Sequence, residues 1–194
     1  IHRERLIEHF WPDTLDDAAW ARLKVTIHFL RQKLREAGLR DEVVETVDAS
    51  YLLRTDGLWI DARAFEELAR EGRDHQRAGR LDEAISAYDR AKRLYRGDFM
   101  EADRYAEWCA EERERLSEIH VELLASLSEL RFLSGDFAGA TRDCHAALVR
   151  EPCRESVHRV LMRSLIALNR PKSAIAQFDR CRRVLKAELG VNPS

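Results

Sequence analysis

Apolar residues recur at helical spacing through most of the chain and at strand spacing only once. Ile1, Leu6, Ile7 and Phe10 form the apolar side of a short amphipathic helix over residues 1–10. Trp11-Pro-Asp-Thr breaks it, because Pro12 disfavours a helical conformation at Trp11. A longer helix is predicted from about Asp16 to Ala37. Asp16 and Asp17 suit its positive N-terminal end, and Gly38 is a natural stop. Leu23, Ile27, Leu30 and Leu34 fall at i, i+4, i+7 and i+11, one stripe expected to be buried. Val43-Val-Glu-Thr-Val, Asp48-Ala-Ser and Tyr51-Leu-Leu-Arg-Thr then read as two strands around a small polar turn.

From Asp61 onward the pattern is helical, and it repeats. Ala84, Tyr88 and Ala91 match Ala140, Cys144 and Ala147, and match again Ala174, Phe178 and Cys181. Each triplet is small, large, small at i, i+4 and i+7, which lets two antiparallel helices approach closely. Gly79, Gly135 and Asn169 each lie five residues before the first Ala, where a preceding helix must turn. The second and third units are 34 residues apart, the tetratricopeptide period. The first and second are 56 apart, so some 22 residues are inserted between Gly97 and Gly135. This insertion is expected to lengthen or add a helix around Tyr105, Trp108 and Leu116. Stacked helix pairs of this kind form a solenoid that binds other proteins.

Composition narrows the class. The 194 residues carry 33 Lys and Arg against 35 Asp and Glu, a formal net charge of −2. Any nucleic-acid surface must therefore come from local clustering. Only eight Gly and four Pro argue against an all-β fold, and no apolar run approaches the length of a membrane span. The opening Ile1-His-Arg-Glu-Arg has neither a start Met nor a signal-peptide core, so the chain reads as a piece of a larger protein. Cys109, Cys144, Cys153 and Cys181 form no CxxC and read as buried thiols. The seven His are scattered, none three or four residues from another, and no metal or cofactor is expected. Phosphate-binding, zinc-protease and nucleophile-elbow signatures are missing, so an enzyme is not expected.

The second helix carries the candidate chemistry. Between Arg22 and Arg40 stand six basic residues and one acid, Glu36. Opposite the apolar stripe lie Val25, His28, Phe29 and Gln32, flanked by Arg22, Lys24, Lys33 and Arg35. Such a helix fits the DNA major groove, where cations neutralise phosphates and the central side chains meet base edges. Arg54 on the following hairpin is placed to act on the backbone as a wing. A lone basic helix is more often a solvated face; helix, break, basic helix and hairpin in that order favour DNA.

These residues resemble the bacterial transcriptional activator domain proteins, the SARP-like regulators. The C-terminal likeness rests on Leu94-Tyr-Arg-Gly-Asp-Phe99, Trp108 with Glu112-Arg-Glu-Arg-Leu116, Glu151-Pro-Cys-Arg-Glu155 and Glu188-Leu-Gly-Val-Asn-Pro193. The N-terminal likeness rests on Phe10-Trp-Pro-Asp13, Leu23-Lys-Val-Thr-Ile-His-Phe-Leu-Arg31 and the strand ending Tyr51-Leu-Leu53. In that family an OmpR-type winged helix precedes a tetratricopeptide-like domain. The resemblance implies a cytoplasmic transcription factor in which the basic helix reads promoter DNA. It also implies repeats that contact RNA polymerase or another protein, oligomerise, or receive a signal. The family's N-terminal sheet and first helix would lie before Ile1. Phe29 stands where the family usually has Arg, and Asp48 where the wing tip is often Arg.

The expected fold is mostly α. A partial winged helix-turn-helix covers residues 1–57, and an α-α tetratricopeptide-like repeat domain of three units covers 61–194. The expected function is a DNA-binding transcriptional regulator. The alternative is a protein-interaction or ligand-sensing scaffold whose winged helix no longer binds DNA.

Overall fold

The computed structural model describes residues 1–14, 16–40 and 43–193. The Asp16 side chain, assigned above to the positive end of its helix, lies outside the described residues. The chain forms two compact units, Ile1–Trp59 and Ile60–Ser194. Among the described residues the fold is mostly α, a winged helix-turn-helix element followed by helical repeats. No described helix is long and apolar enough to cross a membrane.

In the first unit, α1 is Arg3–Phe10, α2 is Asp16–Glu36, and β1 Val44–Val47 pairs antiparallel with β2 Ser50–Leu53. The first helix starts later than the apolar pattern suggests. Ile1 and His2 are extended along the free edge of β2, with Tyr51 N–H donating to the Ile1 carbonyl at 2.9 Å and His2 bridging Ser50. That edge offers the backbone partners that an isolated first turn lacks. Phe10 is exposed, and Trp11 packs with Leu6 and Ile7 in its place. The core is small: Leu23 and Ile27 of α2 against Val43 and Val44, with Leu34, Leu39, Tyr51 and Leu58 around them. Leu30 departs from the predicted stripe and is 43% exposed. The second half of α2 turns the edge bearing Ile27, Arg31 and Leu34 towards the hairpin, so Leu30 falls on the far side.

The second unit stacks three helix pairs. They are α3 Asp61–Arg77 with α4 Leu81–Leu94, α5 Ala110–Leu133 with α6 Phe137–Arg150, and α7 Glu155–Ala167 with α8 Pro171–Leu189. Each first helix ends as predicted, with Gly79, Gly135 and Asn169 all in the left-handed region. At two ends the closing bonds are complete. Arg80 N–H returns to His75 and Gly79 to Gln76, and Arg170 returns to Leu165 and Asn169 to Ile166.

Ala84, Ala91, Ala140 and Ala147 are all fully buried where helices cross. Gly72 belongs to the same logic, since a Cβ there would come within 2.5 Å of the Tyr88 ring. The third triplet differs. Ala174 and Cys181 are buried, but Phe178 is 45% exposed and Gln177 turns inward. There Gln177 Nε2 donates to His158 Nδ1 at 2.6 Å, while His158 Nε2 donates to the Pro152 carbonyl at 2.9 Å. His158 therefore ties α8 to the loop before α7.

The inserted segment is only partly helical. It extends α5 to 24 residues and buries Leu116, but Tyr105 and Trp108 lie exposed before the helix begins. Arg113 holds this stretch by donating to the carbonyls of Phe99, Asp103 and Arg104 at 2.9–3.0 Å. Carbonyls satisfied by a side chain need no helix.

One buried ion network crosses three helices. Asp143 of α6, with no exposed surface, accepts from Lys92 of α4 and from Arg131 of α5 at 2.7 Å. Arg131 also holds both oxygens of Asp89 at 2.7 and 2.8 Å. Burial works against the charge on Arg131, but Asp143 and Asp89 outweigh it and raise its pKa. Cys109, Cys144 and Cys181 are buried, Cys153 less so, and burial pushes the Cys144 thiol up to about 11.

Two predictions follow from this packing. Ala140→Glu would place a carboxylate at a fully buried position, at several kcal/mol. The C-terminal unit should then lose its cooperative thermal transition, and an unchanged melting temperature would refute the crossing. The second concerns His120, stacked on Tyr95 at 3.9 Å with its Nδ1 buried and unpartnered. Burial, aided by Arg150 and Lys92, lowers its pKa to about 4 from the ordinary 6.5. The unfolded chain thus takes the proton first. The stability contributed by neutral His120 is complete above pH 6.5 and is lost as pH falls towards 4. Urea midpoints at pH 7.5 and 5 should differ more for the wild type than for His120→Phe.

Candidate nucleic-acid interface

The two sides of α2 divide cleanly. Ala19, Leu23 and Ile27 are buried, and Val25 and Phe29 on the opposite side are 54% and 57% exposed. Counting about 100° per residue from Leu23, the outward centre holds Gln32, Val25, Glu36 and Phe29. Lys24, Arg35 and His28 line one margin, and Arg22 and Lys33 line the other. The structure therefore brings eight of the nine sequence-predicted residues to one helical surface: Arg22, Lys24, Val25, His28, Phe29, Gln32, Lys33 and Arg35.

Several of these side chains are positioned by neighbours. Lys24 Nζ lies 4.8 Å from the centre of the Trp20 ring, and Arg3 lies 4.6 Å from it. The indole thus holds the charged tip of a flexible side chain. Arg22 reaches Thr14 Oγ1 at 3.5 Å, just before the helix. His28 meets the edge of Phe29 at 6.0 Å between ring centres. Beside Val25, a shallow apolar groove of about 360 Å³ is lined by Trp11, Ala21, Arg22, Val25 and Thr26.

Arg54, the ninth residue, lies away from the turn. It follows β2, its N–H bonds to the Val43 carbonyl, and its guanidinium meets Glu45 at 2.9 Å. The hydrogen bond and charge of Glu45 raise its pKa. The tip is Asp48-Ala49, with Asp48 in the left-handed region at φ 50°, a conformation that Asp tolerates better than most residues.

Two residues that the sequence reading did not single out shape this surface. Arg31 does not face outward with the other cations. Its Nε and Nη2 donate to the Val44 carbonyl at 3.0 and 2.8 Å, and Nη2 donates to Thr46 Oγ1 at 2.9 Å, clamping α2 to β1. Its place one turn after Ile27 was the available signal. Glu36, the lone acid, bonds Lys33 at 2.7 Å and Gln32 at 3.1 Å. It therefore puts a negative charge among the outward cations. The i+3 and i+4 spacings to Glu36 were the signal for that pairing.

Comparison with known proteins gives a consistent result. Residues 60–194 match the bacterial transcriptional activator domain family. The chain is 29% identical over 195 residues to the regulatory protein DnrI of Streptomyces peucetius, covering 97% of this chain and 72% of that protein. It is 27% identical over 188 residues to the regulatory protein AfsR of Streptomyces griseus, of which it spans only 19%. Among solved structures it resembles Mycobacterium tuberculosis EmbR in complex with a low affinity phosphopeptide. The TM-score is 0.84 at 22% identity, covering all of this chain and 52% of that one. That likeness confirms the fold, a winged helix followed by helical repeats. The relatives are named as regulatory proteins.

The clamp yields a prediction local to this unit. Arg31→Ala removes all three bonds to β1, so amide exchange at Glu45 and Val47, whose N–H groups face β2, should accelerate at least about tenfold. Unchanged protection there would show that Arg31 does not hold the hairpin.

Proposed function

The chain belongs to the bacterial transcriptional activator domain family, and from that membership we propose that it is a DNA-binding transcriptional regulator whose reading element is α2. The observation that carries this reading is the outward face of α2. Two basic margins flank a centre of Val25, Phe29 and Gln32, and two large apolar side chains stand in water. The margins suit phosphates. Val25 and Phe29 suit thymine methyl groups, and Gln32 suits an adenine edge. Phe29 offers no bidentate contact to guanine, so recognition leans towards A·T pairs with modest specificity. Glu36 opposes binding, since Lys33 must leave it to neutralise a phosphate. The repeat domain, by this account, contacts RNA polymerase or another protein, or pairs with a second copy. Such a regulator works in the cytoplasm, with its promoter.

The rival reading is a scaffold whose winged helix no longer binds DNA, and the exposed Phe29 favours it to the extent that this ring packs on protein instead of bases. Titration of the intact protein with promoter duplexes over a range of salt separates the two. Lys24→Ala should weaken all duplexes about equally and lower the salt slope by about one unit. Phe29→Ala should relax sequence preference, and Glu36→Gln should tighten binding several-fold. Absence of DNA binding at low salt, or indifference to all three substitutions, would overturn the proposal.

A further inference from the structure

The segment between α4 and α5 does more than join two helices. Arg113 of α5 commits its guanidinium to it: Nε donates to the Phe99 carbonyl at 2.9 Å, and Nη1 and Nη2 donate to the Arg104 and Asp103 carbonyls at 3.0 Å. Nη2 also lies 2.9 Å from Cys109 Sγ. Residues 99–109 are therefore wound around one side chain. Two local bonds tighten the winding, from Asp103 N–H to the Met100 carbonyl and from Ala106 N–H to the Asp103 carbonyl. Met100 sits in the left-handed region at φ 51°, where few side chains of its length are found. The strap so formed leaves apolar groups in water: Tyr105 is 97% exposed, Trp108 52% and Met100 44%. Helices α4 and α5 pack on each other on either side of it, so the exposure belongs to the strap itself. A connection that only had to span two helices has no use for that display. In repeat proteins insertions gather on the binding face, and Tyr, Trp and Met are side chains that protein interfaces favour.

The surroundings of these side chains select a cation. Asp98 is taken by Arg150 at 2.7 Å. Glu101, Asp103, Glu107 and Glu111 are exposed, and among the described residues none of them has an ion-pair partner. Against these carboxylates the strap carries a single cation, Arg104. Elsewhere in the chain aromatic faces are capped from within: Arg3 and Lys24 lie over Trp20, and Arg163 lies 4.2 Å from the centre of the Phe132 ring. Tyr105 and Trp108 have no such cation among the described residues. Open aromatic faces and unpaired carboxylates thus alternate through residues 101–111.

We propose that this strap, through Tyr105, Trp108, Glu101, Glu107 and Glu111, docks an arginine-bearing segment of another protein. A guanidinium stacks flat on an aromatic ring while its edge donates two hydrogen bonds to a carboxylate, so it answers both features at once. The proposal rests on the part of the proposed function in which the repeat domain meets another protein, and it names the surface and the chemistry of that contact. The winding around Arg113 holds the rings ready, so little freedom is lost on binding. Nucleic acid is repelled by the same carboxylates. A second copy is disfavoured, because symmetric pairing through the strap would face its carboxylates with an identical set.

The test titrates the intact chain into a fluorescent Arg/Ser peptide of about ten residues, with a Lys/Ser peptide of equal charge beside it. Saturable binding of the Arg/Ser peptide is expected, weakening with salt. The Lys/Ser peptide should bind at least about threefold more weakly, since an ammonium does not stack. Tyr105→Ala, which alters no charge, should weaken the Arg/Ser complex at least about fivefold, and so should Glu101→Gln with Glu107→Gln. Glu67→Gln with Glu83→Gln, at exposed acids of α3 and α4, should change nothing. All five side chains are exposed, so the variants should keep the wild-type thermal melt, which is recorded alongside. The proposal is overturned if the Arg/Ser peptide shows no saturable binding, if the Lys/Ser peptide binds as tightly, or if either strap variant binds like the wild type. Equal losses from the distant pair and the strap pair would overturn it too, as would a wild-type dimer in sedimentation that Tyr105→Ala dissolves. None of these outcomes bears on DNA reading by α2.

Discussion

Burial of Leu23 and Ile27 against Val43 and Val44 is the constraint on which the N-terminal unit depends. Each such side chain contributes roughly 1.5–3 kcal/mol when removed from water, and in a core this small little else fixes the rotation of α2. Arg31 reinforces the choice by bonding the Val44 carbonyl from the edge of the same face. Once that face is committed, the rest of the helix has no freedom. Val25 and Phe29 must point outward with Lys24 and Arg22 beside them. An exposed apolar pair within a basic surface is thus a consequence of the core, and it is also what a DNA-reading helix requires.

The repeat domain uses different means to the same end. Alanines at the crossings let helices approach, and left-handed closures at Gly79, Gly135 and Asn169 set where each pair turns. The Asp89–Arg131–Asp143–Lys92 network then spans α4, α5 and α6. A buried network is weak support for stability by itself, but breaking one partner strands the others. Its role here is to tie the first two units in one register. The third pair is held by Arg154, which bonds Glu122 of α5 and Glu151, and by His158 and Gln177.

Much of this could be read from the chain because the signals were local. The period of the repeats, the glycine and asparagine stops and the outward face of α2 all depend on neighbours within one or two turns. The misreadings have partners far away in sequence. Ile1 and His2 leave the helix because β2, fifty residues on, offers its edge. Leu30 is exposed because α2 turns its Ile27, Arg31 and Leu34 edge to a hairpin whose position no helical periodicity encodes. Phe178 fits the repeat pattern, yet it is 45% exposed, because Gln177 takes the inward position and bonds His158 of α7. Arg113 and Asp143 gain their roles only when distant carbonyls and cations are folded around them.

The central claim is that one side of α2 meets DNA while the other stays packed on the hairpin. Methyl resonances of Val25, Leu23 and Ile27, followed as a promoter duplex is titrated into the intact protein, address it directly. The account predicts that the Val25 methyls shift and broaden while those of Leu23 and Ile27 stay in place. Val25 signals that remain still while the protein binds, or shifts confined to the repeat domain, would contradict it.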